Sequence, residues 1–301
     1  MASGGFLMRY VLENETLRVE IDSLGAEVKS VKSKATGQEY MWQGDPKYWH
    51  RTSPILFPFV GRLRNDSFLH GGVTYPMKQH GFARDIEHNL VTKTDKSIQF
   101  KLVTNDETLK AFPFSFSLHI GYELEGNELK VLWEVRNNSL DKHMHFSIGA
   151  HPAFNCPING EDTKEGYKLY FEGVDEIHHH GCSRETGLSL DEDLTLQLTN
   201  NRATITADFF DRSTYIVEGN QTKAVGLEDP QGNRIVTVLF DMPLFGLWSP
   251  EEKNAPFVCI EPWCGRCDSE DFEGTLKARA YDNVLEAGEK FNTSYIMRFG
   301  A

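Results

Sequence analysis

The chain has 301 residues, of which 40% are hydrophobic, 12% aromatic and 25% charged, the composition of a globular chain rather than a disordered, fibrous or membrane one. Lys and Arg total 31 against 44 Asp and Glu, a formal net charge of -13. With no long basic run, this speaks against nucleic acid as a partner, and the surplus acid reads as a solvated surface.

The opening "MASGGFLMRY" lacks both the basic leader and the apolar stretch of ~7–15 residues that a signal peptide needs. No segment reaches the ~18 consecutive apolar residues of a membrane helix. Cys156, Cys182, Cys259, Cys264 and Cys267 are an odd and sparse set, so a reducing cytoplasm is the expected location.

The stretch "YVLENETLRVEIDSLGAEVKSVKS" reads as a first β meander. In "HIGYELEGNELKVLWEVRNNS" residues 124–128 supply a turn. Leu129, Val131, Trp133 and Val135 alternate after it, as do Phe116, Leu118, Ile120 and Tyr122 before it, the period of a hairpin. Further strands are expected over 97–103, 143–148, 195–198, 203–206, 215–218, 224–228, 235–240, 257–261 and 291–298. Only 106–111 and 270–274 read as helical, each a turn or two. No repeat, low-complexity tract or linker divides the chain. One all-β domain over 1–301 is therefore expected, a large antiparallel β-sandwich with few short helices.

Four stretches are candidates for chemistry. In "SPILFPFVGRLRND" Pro54 and Pro58 rule out a regular central strand, and the segment delivers Arg62 and Arg64. Arg62 is the charge expected to face inward, with a surface position as the alternative. In "MKQHGFARD" His80 precedes Gly81, which allows close backbone approach or positive φ. His80 is either a hydrogen-bonded turn residue or one arm of a site. In "HMHFSIGAHPAFNCP" His143 and His145 stand at strand spacing, and Pro152 disfavours the α region for His151. His151 is thus extended at a strand end, either a proton-exchanging rim imidazole or a capped core histidine.

The fourth stretch is "PFVCIEPWCGRCD", where Phe257, Cys259 and Glu261 share one face of an apolar run. Partial desolvation raises a carboxyl's pKa toward neutrality, which suits a general base. Cys264 and Cys267 make a CxxC, but structural zinc needs a second ligand pair, for which only "HHHGC" at 178–182 offers itself. A redox CxxC belongs in a βαβ setting that this chain lacks. The "HHH" run reads as an exposed loop. With no P-loop, GxGxxG, GxSxG or HExxH, neither a metal nor a cofactor is expected.

Taken together, "GRLRND", "QHGFARD", "GAHPAF" and "CIEPWCG", in this order within β-rich sequence, resemble the aldose 1-epimerase (galactose mutarotase) family. The similarity runs from about Tyr10 to the terminal "YIMRFG", and "FGLWSP" followed by "CIEPWCG" looks most like the LacX-type branch. The resemblance implies a supersandwich fold with an open sugar cleft, interconversion of the anomers of an aldose, and a monosaccharide as partner. Glu261 would match the catalytic base, His151 the general acid, His80 the histidine that polarises the sugar near C1, and Arg62 a substrate-binding arginine. Acid and base are expected on opposite sides of the sugar, both with pKa values near neutrality. Phe57, Phe82, Trp248 and Trp263 are candidates to stack on a pyranose. The family's sugar-binding Asp has no clear match: "FFDRSTYIV" offers Ser213 at that place and Asp211 two residues earlier. Arg64 and Arg84 beside Arg62 leave room for a hexose 6-phosphate, and a non-catalytic carbohydrate-binding protein is the further alternative. A monomer or homodimer is expected.

Overall fold

The computed structural model describes residues 8–158, 160, 163–190 and 192–300. Among these the alternation of apolar and polar residues becomes antiparallel strands. Phe116–Glu125 and Glu128–Asn137 pair with Glu125 opposite Glu128, leaving Gly126 and Asn127 as a two-residue loop of the kind that favours positive φ; Gly126 is at φ +54. This hairpin lies within a nine-stranded sheet. From one edge its strands are Arg202–Thr204, Lys168–Phe171, Ala224–Glu228, Arg234–Phe240, Lys290–Phe299, Glu128–Asn137, Phe116–Glu125, Ser97–Val103 and Asn89–Lys93.

A six-stranded sheet packs against it, in the order Tyr215–Glu218, Leu244–Trp248, Phe257–Cys264, Ile148–Ala150, Ile55–Leu56, with Ala153–Asn155 also paired to Phe257–Cys264. Successive side chains on a strand point to opposite faces, and this decides where chemistry can sit. Val258 and Ile260 join Phe245 and Leu247 in the main core. There the Phe245 ring meets Phe240 and Phe171 of the larger sheet at 5.4 and 6.4 Å. The outer face of the same strands carries Cys259, Glu261 and Trp263 beside Gly246 and Trp248. Loops cover that outer face, so Glu261 is buried without belonging to the intersheet core.

Several local expectations change. Residues 106–111 do form the helix Asp106–Ala111, closed by an Asn105 capping box. The turn expected at 270–274 is not helical: the Phe272 carbonyl accepts from Arg64 Nη1 at 2.7 Å, and a 3₁₀ turn follows at Leu276–Ala278. The expected strand 143–148 splits into Met144–Phe146 and Ile148–Ala150. Ser147 turns aside to bond Pro58 O and, through Oγ, Val60 N. His143 lies before the strand and is exposed while His145 is within it and buried, so the two do not share a strand face. The "HHH" run is not a loop either, because Glu176–His179 is a strand paired with Leu194–Gln197.

One buried histidine outside the outer face makes stability pH-dependent. His88 donates from Nδ1 to Ile86 O at 3.0 Å, which leaves Nε2 buried with no partner. Burial pushes its pKa down to about 4. A group whose folded pKa lies below its unfolded value near ~6.5 contributes stability above that value and loses it as pH falls toward the folded one. The urea midpoint should drop between pH 6.5 and 4, with His88 contributing about 3 kcal/mol of the change. His88→Asn, which keeps the donor to Ile86, should flatten the slope; an unchanged slope would remove His88 from this role.

Candidate active site

The register of two strands brings His151 and Glu261 together. Gly149 lies opposite Trp263 and Ala153 opposite Cys259, so across the Pro152 interruption His151 faces Glu261, and directly opposed side chains share a face. His151 Nε2 lies 3.4 Å from Glu261 Oε2. Trp49 stacks on the His151 ring at 4.6 Å, and Trp248 meets it edge-to-face at 5.3 Å. The imidazole is thereby clamped with its Nε2 toward the carboxyl.

Both groups are displaced from their ordinary protonation. Burial pushes the Glu261 carboxyl well above the carboxylate range, the Trp263 indole offsetting part of this. Burial, with the nearby Arg84 charge, takes His151 down to about 3. Glu261 is thus raised, the direction expected of a general base, whereas His151 is lowered away from the neutrality expected of it, and the two stand adjacent.

His80 approaches from a separate loop, its ring 5.6 Å from that of His151. The backbone N–H of Gly61 donates to His80 Nδ1 at 3.0 Å, so the ring proton of the neutral imidazole sits on Nε2. Burial, with Arg84, His151 and Arg51 nearby, pushes its pKa well below the ordinary value. His80 and Gly81 both have positive φ, +67 and +70, and Gly81 forms a bridge with Phe57.

These side chains line a cleft of ≈480 Å³ together with Arg62, Arg84, Trp248 and Trp263. Trp263 donates from Nε1 to Ala150 O at 3.2 Å, and its ring lies where a side chain at Gly149 or Gly246 would be. Two glycines in adjacent strands thus make room for the indole that floors the cleft. Arg62 lines the cleft with its guanidinium held by Asp66 through two 2.7 Å bonds, and it donates to Thr186 O at 3.1 Å.

Other sequence candidates lie elsewhere. Asp211 is not among the lining residues; its carboxylate accepts from Glu252 N at 2.9 Å, because the turn before Tyr215 directs it toward the 249–255 loop. Ser213 accepts from Cys182 N and is likewise off the lining. Phe57 is fully buried among Phe112, Phe116 and Phe146, and Phe82 borders a neighbouring cavity instead. Arg64 bonds Phe272 O outside the cleft. Sequence reasoning missed Trp49, Arg51 and Glu251, which line the cleft, and left Arg84 unassigned. For Trp49 the "KYWH" phrase was the available signal.

His151, Cys259 and Glu261 present ligand atoms within 4.8 Å of one another. Burial pushes the Cys259 thiol well above its ordinary pKa, so a cation would have to displace that proton to bind. The set suits proton exchange better than cation binding.

An open cleft on the outer face of a large antiparallel sandwich, floored by an indole and holding a buried histidine–glutamate pair, defines a class of proteins with the galactose mutarotase-like fold. The chain belongs to the aldose 1-epimerase family, whose family model matches residues 8–298. It is 34% identical over 265 residues to the chromosomal Protein LacX of Lactococcus lactis, covering 86% of this chain and 88% of that one. A galactose mutarotase related enzyme from Lactobacillus acidophilus is similar in structure with a TM-score of 0.91, at 35% identity and 98% coverage of both chains. A galactose mutarotase-like protein from Lactobacillus casei reaches 0.89 at 31% identity, covering 97% of this chain and 99% of that one. Among the described residues no helix is long and apolar enough to cross a membrane.

Proposed function

We propose that the protein is a mutarotase that interconverts the α and β anomers of an aldohexose by acid–base ring opening and closure. The observation that carries this reading is the buried His151–Glu261 pair, 3.4 Å apart at the floor of the cleft. Both shifts favour uncharged forms, so the pair keeps one proton between its members. When the 3.4 Å contact tightens to a hydrogen bond around the sugar, moving that proton from Glu261 to His151 gives a carboxylate and an imidazolium without exchange with solvent.

Glu261 then takes the proton of the anomeric hydroxyl, and His151 delivers one to the ring oxygen. The bond between C1 and the ring oxygen breaks, leaving the open-chain aldehyde. Rotation about the bond from C1 to C2 presents the opposite carbonyl face, and closure runs the transfers in reverse. The two hemiacetal oxygens share one carbon, so neighbouring acid and base groups suit them. The net proton change is zero, and no cofactor is needed. His80, neutral with its proton on Nε2, donates to a sugar oxygen and polarises the reacting centre. Trp263 and Trp248 supply apolar surface to the pyranose, Arg62 and Arg84 supply donors, and Glu251 rather than Asp211 is the acid at the rim.

Arg84 favours a second reading. It is half-buried, its Nη2 donates to Gln79 O at 2.8 Å while its Nε has no partner, and burial lowers its pKa to about 10. A cation in this state suits an anionic group such as the phosphate of a hexose 6-phosphate. Exchange NMR on a panel of free and 6-phosphorylated hexoses tests both. Accelerated anomer exchange on free sugars supports the first reading, and exchange confined to the phosphates supports the second. Binding without acceleration on any sugar would leave only a carbohydrate-binding role.

A further inference from the structure

Two cysteines that the reaction does not use come together in the cleft wall, one from each of the sequence's unexplained cysteine motifs. Cys267 ends the CxxC and Cys182 ends "HHHGC". Both line the cleft, they pack in one cluster with Val60, Ile216 and Trp263, and each thiol shifts the other's ionisation, Cys182 up and Cys267 down. The CxxC itself is no pair of this kind, since Cys264 ends the strand Phe257–Cys264 and belongs to the main core. Among the described residues no cysteine is in a disulfide.

The backbone explains why the contact is well defined. Cys182 bridges to Ser189, and Ser189 bridges in turn to Ser269, with Ser189 N donating to Asp268 O at 2.8 Å. On the other side Arg279 donates to Arg266 O at 2.9 Å and pairs with Asp268, which fixes the residues flanking Cys267. Cys182 N donates to Ser213 Oγ at 3.0 Å. Two anchored segments thus present their thiols to one another at a site that solvent reaches through the cleft.

We propose that Cys182 and Cys267 are an oxidisable dithiol that closes into a disulfide under hydroperoxides and gates sugar entry. Cys267 is the attacking sulfur: the neighbouring Cys182 thiol holds its pKa below the ordinary thiol value, and Arg266 and Arg279 act in the same direction, whereas Cys182 is raised. The Cys267 thiolate attacks one peroxide oxygen, the O–O bond breaks, and hydroxide leaves with a sulfenic acid behind. The Cys182 sulfur then attacks the sulfenic sulfur, forming the S–S bond and releasing the hydroxyl as water. Two thiols and one hydrogen peroxide give one disulfide and two waters, the sulfurs losing two electrons to the peroxide oxygens. Contraction to a bond of ~2.05 Å draws the 182–189 segment, where Gly187 rests on Arg62, across the wall of the cleft.

The gating half rests on the mutarotase reading, but the chemical half does not. The purified full chain is treated with stoichiometric hydrogen peroxide, digested without reduction and mapped by mass spectrometry. A peptide joining Cys182 to Cys267, lighter by two hydrogens and lost on thiol reduction, is the expected result; it should persist in Cys264→Ser and vanish in Cys182→Ser. A crosslink elsewhere, or none, overturns the dithiol. Where anomer exchange is measurable, the oxidised protein should show KM for the sugar raised by roughly tenfold or more and recovered on reduction. A mapped disulfide with an unchanged KM overturns the gating alone.

Discussion

Glu261→Gln should lower kcat for anomer exchange by ~100- to 10,000-fold while leaving the urea midpoint unchanged or higher. The substitution keeps the shape of a side chain that is 1% exposed and removes only its ability to lose a proton. Glu261 Oε2 has no hydrogen-bond partner, and burial makes its charged form costly. A neutral amide in that place relieves a cost rather than adding one. His151→Asn should lower kcat comparably. Because the two groups act as one relay, the double variant should be little worse than either alone.

The same relay fixes the pH dependence. The profile of kcat/KM reports the free enzyme. There the pair gains a second proton only toward the low value of His151, about 3, and loses its single proton only well above the usual carboxylate range. No limb from His151 should therefore appear as pH falls from 7 through 5, measured over times short against acid unfolding. A limb near 6.5, where an ordinary imidazole titrates, that disappears on replacing His151 would mean that His151 exchanges protons with water independently of Glu261.

What could be read from the sequence was whatever depends on neighbours along the chain. The face shared by Cys259 and Glu261 follows from the period of two in one apolar strand, and the extended conformation of His151 follows from Pro152 alone. Arg84 could not be ranked against Arg62 from sequence. What separates them is Asp66, which binds Arg62 through two bonds, and burial, which leaves Arg84 Nε without a partner. Asp211 was misplaced for a similar reason, since its carboxylate goes to Glu252 N across a turn. Phe57 looked like a cleft aromatic because prolines surround it, yet its segment runs inward beneath the cleft into the cluster of Phe112, Phe116 and Phe146. The pairing of Cys182 with Cys267 joins segments more than eighty residues apart, and no local pattern marks it.

Gly81→Ala should cost about 3–5 kcal/mol of stability and take activity with it. At φ +70 an L side chain is strained, and an added Cβ would meet the Phe57 carbonyl carbon at 2.5 Å and Pro58 Cδ at 2.7 Å. Neither can move freely: Phe57 O accepts from both Phe82 N and Ala83 N, and the Phe57 ring is packed in the core. The strain would fall on His80, which is anchored to Gly61 through its own N–H and its Nδ1. His80→Asn separates the two roles. Asn tolerates positive φ and offers an oxygen to Gly61, so the urea midpoint should hold, while loss of the imidazole donor should lower kcat/KM by ~100-fold, with KM raised as well. If Gly81→Ala unfolds at the wild-type midpoint, the tight approach of Phe57 to this turn is not what holds His80 over the cleft. If His80→Asn leaves kcat/KM intact, His80 makes no contact with the sugar.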